Sequence, residues 1–274
     1  MYFSPCLIFN IEIMTIALIA ALKEELDAVL TALHANAHIE EHGGRRFYVG
    51  SLHGEPCVAV LSGIGKVAAA STVTALIHVY APSRIIFTGV AGGLADGLRV
   101  GDVVIASELI QHDMNAEPLF PRFEVPMTGK QWFATDEQLA KELDASAQQF
   151  VDVRLPGTIN LVTREQFGLH HPQVHCGAIA SGDQFIASHL ARLELQQVLP
   201  SVLCVEMEGA AVAQVCAAYQ VPFAVMRTIS DSADDDAVID FPRFIDEVAS
   251  VYSAGILREW VLNARVDVGK QENE

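Results

Sequence analysis

Basic residues are scarce in this chain: 17 Lys and Arg stand against 34 Asp and Glu, a formal net charge of -17. Affinity for a phosphate backbone comes mainly from Lys and Arg that displace counterions, so this balance argues against nucleic acid as a partner. It suits a neutral or zwitterionic small ligand better than an anionic one. Cysteine is also sparse, and unpatterned. The five residues Cys6, Cys57, Cys176, Cys204 and Cys216 have no CxxC spacing and sit mostly in apolar runs such as Val202-Leu203-Cys204-Val205. They read as reduced core thiols of a cytoplasmic protein, not as disulfides or a metal centre. His170, His171 and His175 crowd one loop-like stretch, but no second ligand cluster accompanies them, so a solvated loop is expected and no metal or organic cofactor is implied. Neither a GxxxxGK[ST] loop nor a GxGxxG fingerprint occurs, which weakens any mononucleotide or dinucleotide assignment.

Lys and Arg are likewise missing ahead of the apolar stretch Met1–Ile13, which contains Glu12 and runs directly into the first core-like segment. That pattern is neither an export signal nor a membrane anchor. The expected division is an upstream extension over 1–13 with Met14 as an alternative start, one domain over 14–264, and a polar, frayed tail over 265–274. No repeat or low-complexity linker divides the chain. What the sequence has in quantity is apolar residue: 51% hydrophobic against 19% charged, over 274 residues, is enough for a sizeable single core.

The apolar residues come in short continuous runs bounded by Gly, Pro and polar turns. Examples are Thr15–Ala20, Val58–Leu61, Arg84–Thr88, Asp102–Ala106, Cys176–Ala180, Val202–Val205 and Phe223–Met226. Continuous apolarity marks strands covered on both faces. Helical segments are expected between them over Lys23–Leu33, Lys66–Tyr80, Asp136–Phe150, Glu208–Tyr219 and Phe241–Asn263. The order predicts an α/β fold, a three-layer α/β/α domain with a central mixed, mostly parallel sheet. Leu155–His175 is the one long stretch read as irregular.

Four clusters lie where a strand gives way to a loop or helix, the usual place for ligands in such sheets. In Ala20-Ala21-Leu22-Lys23-Glu24-Glu25 two acids open a helix, which fits either dipole capping or a site. Ser62-Gly63-Ile64-Gly65-Lys66 and Thr88-Gly89-Val90-Ala91-Gly92-Gly93 are glycine-rich turns that serve either tight turning or close approach to a ligand. Val205-Glu206-Met207-Glu208-Gly209 sets two carboxylates at a strand end, where burial is unfavourable unless donors are found. Sugar hydroxyls are such donors, and a helix cap is the other reading. Arg227-Thr228-Ile229-Ser230-Asp231 delivers Ser230 and Asp231 at a strand tip, as an N-cap or as a proton donor with a raised pKa.

Taken together, IALIAALKEEL, SGIGKVAAA, TGVAGGL, VGDVV, SGDQFI, VEMEGAAVAQVC and RTISDSAD, in that order from about Thr15 to Asn263, resemble the 5'-methylthioadenosine/S-adenosylhomocysteine nucleosidases within the purine nucleoside phosphorylase and uridine phosphorylase superfamily. The resemblance implies a nucleoside phosphorylase-like fold and water-driven release of adenine from 5'-methylthioadenosine, S-adenosylhomocysteine or 5'-deoxyadenosine. By position, Glu25 matches the acid that activates water, and Asp231, helped by Ser230, the acid that protonates adenine N7. Glu208 matches the ribose-hydroxyl acceptor with Met207 as its apolar neighbour. Phe185 matches the ring stacked on adenine, Ile186 the backbone that reads the base edge, and Phe241 a residue covering the nucleoside. Val90, Ala91 and Gly92 fall where the family lines the ribose, and Arg227 matches an organiser of the site.

The resemblance also separates rivals. Phosphorylases of the superfamily carry phosphate-binding Gly and Arg in the first loop, where this chain has Glu24 and Glu25, so hydrolysis is expected over phosphorolysis. Asp at position 231 goes with 6-amino purines. A binding protein without turnover would gain little from keeping Glu25, Glu208 and Asp231 together. Two departures stand out: Val90 replaces a serine common in the family, and Leu155–His175 is longer than in compact members. The family is typically homodimeric, and Gln111–Phe123 resembles the loop that covers the partner's site, with Leu119, Phe120 and Phe123 as lid residues.

Overall fold

The computed structural model describes residues 15–34, 37–235 and 237–271. The extension expected over 1–13 and Cys6 therefore lie outside the described residues. Strands β1 (Ile16–Ala20), β2 (His38–His42), β3 (Arg45–Leu52), β4 (Glu55–Leu61), β5 (Arg84–Phe87) and β6 (Val90–Gly93) come first, followed by β7 (Val103–Gln111), β8 (Trp132–Ala134), β9 (Val174–Ser181), β10 (Val202–Glu206) and β11 (Phe223–Asp231). They form one sheet in the order β2-β3-β4-β1-β5-β11-β6-β10-β9-β7-β8. The apolar runs become its centre. β1 lies parallel to β4 and β5, and β11 parallel to β5 and β6. Every residue of β11 is buried.

β11 also pairs antiparallel with β7 through Met226–Thr228, so the ladder β11-β6-β10-β9-β7 closes on itself. The ends of β6, β10 and β11 are thereby gathered at one rim. Successive residues of β1 alternate between two cores. Leu18 and Ala20 join the cluster of Leu26, Val29, Leu143, Phe150, Tyr252 and Trp260. Ala17 and Ile19 join that of Phe47, Val73, Leu76, Val212 and Cys216. The first core is covered by α1 (Lys23–His34), α3 (Glu137–Gln149) and α9 (Ser250–Gln271), and the second by α2 (Lys66–Tyr80) and α7 (Gly209–Tyr219), which pack on each other. The three-layer α/β/α expectation describes this arrangement.

Several local expectations change. Leu155–His175 is partly helical: two short helices, α4 (Leu155–Thr158) and α5 (Leu161–Gln166), precede turns and the start of β9. The signals were Pro156 in the first turn of α4 and Asn160 capping α5 through the Thr163 N–H at 3.0 Å. Thr88–Gly93, read as a turn, contains β6, whose partners are β10 and β11. The polar hairpin β2–β3 carries no continuous apolar run, and the short helix α6 (His189–Val198), capped by Ser188, was likewise unread. The last helical segment is α8 (Ala237–Phe244), a π-helical turn over Ile245–Ala249, and α9, which continues to Gln271 into the stretch read as a polar tail. Cys57, Cys204 and Cys216 are buried free thiols as expected, whereas Cys176 is exposed. His175 hydrogen-bonds Asp102 at 3.2 Å, and among the described residues no group of three or more His, Cys, Asp or Glu is placed to hold a metal ion. No helix among them is long and apolar enough to cross a membrane.

Candidate active site

A cavity of about 350 Å³ opens at the rim where β1, β6, β10 and β11 end. Small-molecule sites typically fall between about 300 and 1,000 Å³, so one small ligand fits. Glu25, Val90, Ala91, Gly92, Phe185 and Ile186 line it, as do Met207, Glu208, Ser230, Asp231 and Phe241. Of the residues singled out from the sequence, Arg227 and the lid residues Leu119, Phe120 and Phe123 do not reach the cavity wall among the described residues. Ala21, Leu22, Ile64, Gln184, Val205 and Glu206 also line it without having been assigned. Gln184 and Glu206 sit beside residues that were, Ala21, Leu22 and Val205 lie within about four positions of one, and Ile64 is the side chain that the Ser62–Lys66 turn contributes.

The capping and functional readings of Glu25 coexist. Glu25 is the third residue of α1, and its Oε2 accepts from the N–H groups of Leu22 at 2.8 Å and Ala21 at 2.9 Å, the return half of a capping box. Its Oε1 accepts from the Val90 N–H at 3.1 Å, across the cavity floor. Burial raises the Glu25 pKa, opposed by the Arg227 charge and the three N–H groups. A carboxylate held this way is a better base than one in water.

At β10 the two roles divide between two glutamates. Glu206 caps α7, accepting from the Gly209 N–H at 2.8 Å and the Glu208 N–H at 3.1 Å, while Ser181 donates to it and accepts from the Ala210 N–H at 2.7 Å. Arg227 Nη2 donates to Glu206 at 2.8 Å from behind the cavity wall, and its Nη1 donates to the carbonyls of Phe87 and Met226 with the guanidinium 4.1 Å from the Phe87 ring centroid. With its charge and three donor contacts taken up, Arg227 organises the wall and does not face a ligand. Glu208 is left for the cavity. Its Oε1 accepts from the Gly65 N–H at 2.7 Å. Burial first, then the nearby Glu206 charge, push its pKa up to about 8 against the pull of the Gly65 N–H and Arg227.

Asp231 ends β11. Its Oδ2 accepts from Ser230 Oγ at 2.7 Å and its Oδ1 from the Ala233 N–H at 2.8 Å, so the carboxyl is oriented on both oxygens. Two glycines make room for the acids. A Cβ on Gly89 would stand 2.6 Å from Glu25 Oε1, and one on Gly92 would stand 2.9 Å from Asp231 Oδ1. Phe185 and Phe241 meet edge to face at 5.4 Å between ring centroids at the cavity mouth. The arrangement offers an aromatic slot beside one acid, a second acid set across from it, and a third placed to accept from hydroxyl groups.

The family model described as the phosphorylase superfamily matches residues 15–261. A 5'-methylthioadenosine/S-adenosylhomocysteine nucleosidase of Anoxybacillus flavithermus is 36% identical over 238 residues, covering 86% of this chain and 93% of the relative. The crystal structure of the same kind of nucleosidase from Neisseria meningitidis, in complex with methylthio-immucillin-A, superposes with a TM-score of 0.79 at 34% identity, covering 90% of this chain and 98% of that one. A futalosine hydrolase of Helicobacter pylori superposes with a TM-score of 0.76 at 31% identity, covering 92% and 98%.

Proposed function

We infer the activity from a plain premise: this chain belongs to the phosphorylase superfamily and, within it, to the 5'-methylthioadenosine/S-adenosylhomocysteine nucleosidases. It is an N-glycosidic hydrolase that releases adenine and the 5'-modified ribose from these nucleosides. The observation that carries the reading is that Glu25, Glu208 and Asp231 converge on one cavity with an aromatic mouth.

The roles follow from the chemistry. Breaking the glycosidic bond leaves positive charge on the ribose and negative charge on the departing base. In our reading Glu25 takes a proton from the water that attacks the anomeric carbon, and Asp231 gives a proton to adenine N7 as the electron pair of the broken bond moves into the ring. Ser230 orients Asp231. Glu208, in its ionised form, accepts from the ribose hydroxyls with Met207 packed beneath the sugar. Phe185 stacks on adenine, the Ile186 backbone reads its edge, and Phe241 covers the nucleoside. Val90, Ala91 and Gly92 form the floor under the ribose.

Water, not phosphate, is the acceptor on electrostatic grounds. The cavity is lined by the carboxylates of Glu25, Glu206, Glu208 and Asp231 and, among the described residues, by no Lys or Arg. A phosphate anion entering there would find no cationic side chain on the wall to offset its charge. The direct test is adenine release from 5'-methylthioadenosine in phosphate-free buffer. Release is expected, and Asp231→Asn or Glu25→Gln should each lower kcat by about 10²- to 10⁴-fold. Release only after phosphate is added would contradict the reading.

We further propose a homodimer. Ile64 and Val67 at the start of α2 are 55% and 81% exposed and Leu119 is 83% exposed, while Ile64 already lines the cavity mouth. Leu119, with Phe120 and Phe123, belongs to the loop expected to cover the partner's site. A solution mass of one chain at micromolar concentration would contradict the dimer. The buried free thiols suit a reducing cytoplasm, where the reaction would serve nucleoside catabolism and methionine salvage.

A further inference from the structure

Two segments that border the cavity, around Ile64 and around Gln184–Ile186, are tied through Asp113 just past the end of β7 in one side-chain cluster that does not line it. Lys66 Nζ donates to Asp113 Oδ1 at 2.6 Å and to Gln111 Oε1 at 3.1 Å. The other oxygen of Asp113 accepts from the Asp183 N–H at 2.9 Å, and the Asp183 side chain accepts from the Lys66 N–H at 2.7 Å. The result is a closed ring through Lys66, Asp113 and Asp183. The Lys66 and Asp113 side chains are only 15% and 20% exposed. Gln111 extends the ring to α7 through Gln214 at 2.7 Å. Beside it, the His112 N–H donates to the Ser181 carbonyl at 2.9 Å, and the His112 ring fills the space a Cβ on Gly182 would need.

The ring joins the two ends of the proposed ligand. Asp183 stands two residues before Phe185 and three before Ile186, the segment assigned to adenine. Lys66 follows Gly65, whose N–H holds the ribose acceptor Glu208. Lys66 thus grips two acids in different ways, Asp113 through its ammonium group and Asp183 through its backbone N–H. Burial would raise the Asp113 pKa, but the Lys66 hydrogen bond and the Asp183 N–H outweigh it and hold the carboxyl below its usual range.

We propose that Lys66 and Asp113 are positioning residues that fix the adenine-contacting segment 183–186 at a set distance from the ribose acceptor Glu208. Neither touches the nucleoside. This deepens the nucleosidase reading and rests on it. Glu25 and Asp231 are held by their own N–H and hydroxyl donors on other elements, so loosening the ring weakens binding before it slows chemistry.

The experiment compares wild type, Asp113→Asn, Lys66→Met and the double variant by steady-state kinetics with 5'-methylthioadenosine and by calorimetric binding of adenine. An asparagine oxygen can satisfy one of the two donors and turns an N–H toward the other. Misplacing a binding segment by an ångström is enough for large losses, so KM and the adenine Kd should both rise about tenfold or more in each single variant, with kcat falling less. The double variant should be no worse than either single one, because both open the same ring. Lys66→Met keeps the packing of the stem and serves if Asp113→Asn does not fold. Unchanged KM and adenine affinity, a loss confined to kcat, or fully additive effects would overturn the proposal. Adenine binding needs no turnover, so a wild-type protein that binds adenine but fails to cleave would sink the hydrolase reading while leaving this one open to its own test.

Discussion

Glu208 is asked to do two things that conflict until a ligand arrives. Its carboxyl is buried beside Glu206 and pushed up to about 8, while accepting from ribose hydroxyls requires the ionised form. An unfolded glutamate titrates near 4.3, so between about pH 5 and pH 8 the folded, ligand-free protein holds the extra proton. The stabilisation tied to that proton is complete below about pH 4 and is lost as pH rises through about 8. Thermal melts of the ligand-free protein should therefore fall across this window, and Glu208→Gln should flatten the slope. A slope unchanged in Glu208→Gln would show that Glu208 is not its source. The conflict is also a device for binding, because hydroxyl donors from the sugar replace the proton that burial imposed.

At the scale of elements, the acids are placed by what their strands and helices need anyway. Glu25 completes the cap of α1, Glu206 caps α7, and Asp231 ends a strand buried along its whole length. β6 is the element that brings them together: its first N–H holds Glu25, and Gly92 lets it pass Asp231 at close range. Gly92→Ala would set a Cβ 2.9 Å from both Asp231 Oδ1 and the Ala233 side chain. Overpacking of this kind typically destabilises by about 1 to 3 kcal/mol. We expect kcat to fall by tenfold or more as the acid shifts, on the order of the losses known for small misplacements. Wild-type kcat in a folded Gly92→Ala variant would contradict the close-approach argument.

The same elements show what was legible beforehand. Runs such as Ile16–Ala20 and Phe223–Met226 declared the sheet because both their faces are covered, and α2 starts and ends where its pattern does. β6 was hidden because Val90-Ala91-Gly92-Gly93 reads as a turn: its glycines answer to the approach of Asp231 and not to backbone bending. β2 and β3 were hidden because no residue of β2 is buried, which tolerates Glu40 and Glu41 on both of its faces, and only Phe47 and Leu52 of β3 are. Most of the candidate site residues lie within about five positions of a strand end, which makes them conspicuous in the sequence, whereas Phe241 stands well past β11 in α8. Arg227 was harder: position in the chain put it next to the site, but only the packing shows its guanidinium turned toward Glu206 and Phe87.

For the whole molecule, the acidic balance that argued against nucleic acid extends to the cavity, where four acids line the wall and Arg227 behind it is already paired. That distribution favours an uncharged nucleoside and an uncharged attacking water over an anionic acceptor. The fold is shared with a futalosine hydrolase as well as with the methylthioadenosine enzymes.

In the proposed reaction the oxygen joined to the sugar comes from water activated at Glu25. Turnover of 5'-methylthioadenosine in water enriched in heavy oxygen, with phosphate also present, tests it most directly. We predict free 5-methylthioribose carrying one heavy oxygen at the anomeric carbon and adenine carrying none. A sugar phosphate whose anomeric oxygen is unlabelled would contradict the account and make phosphate the acceptor.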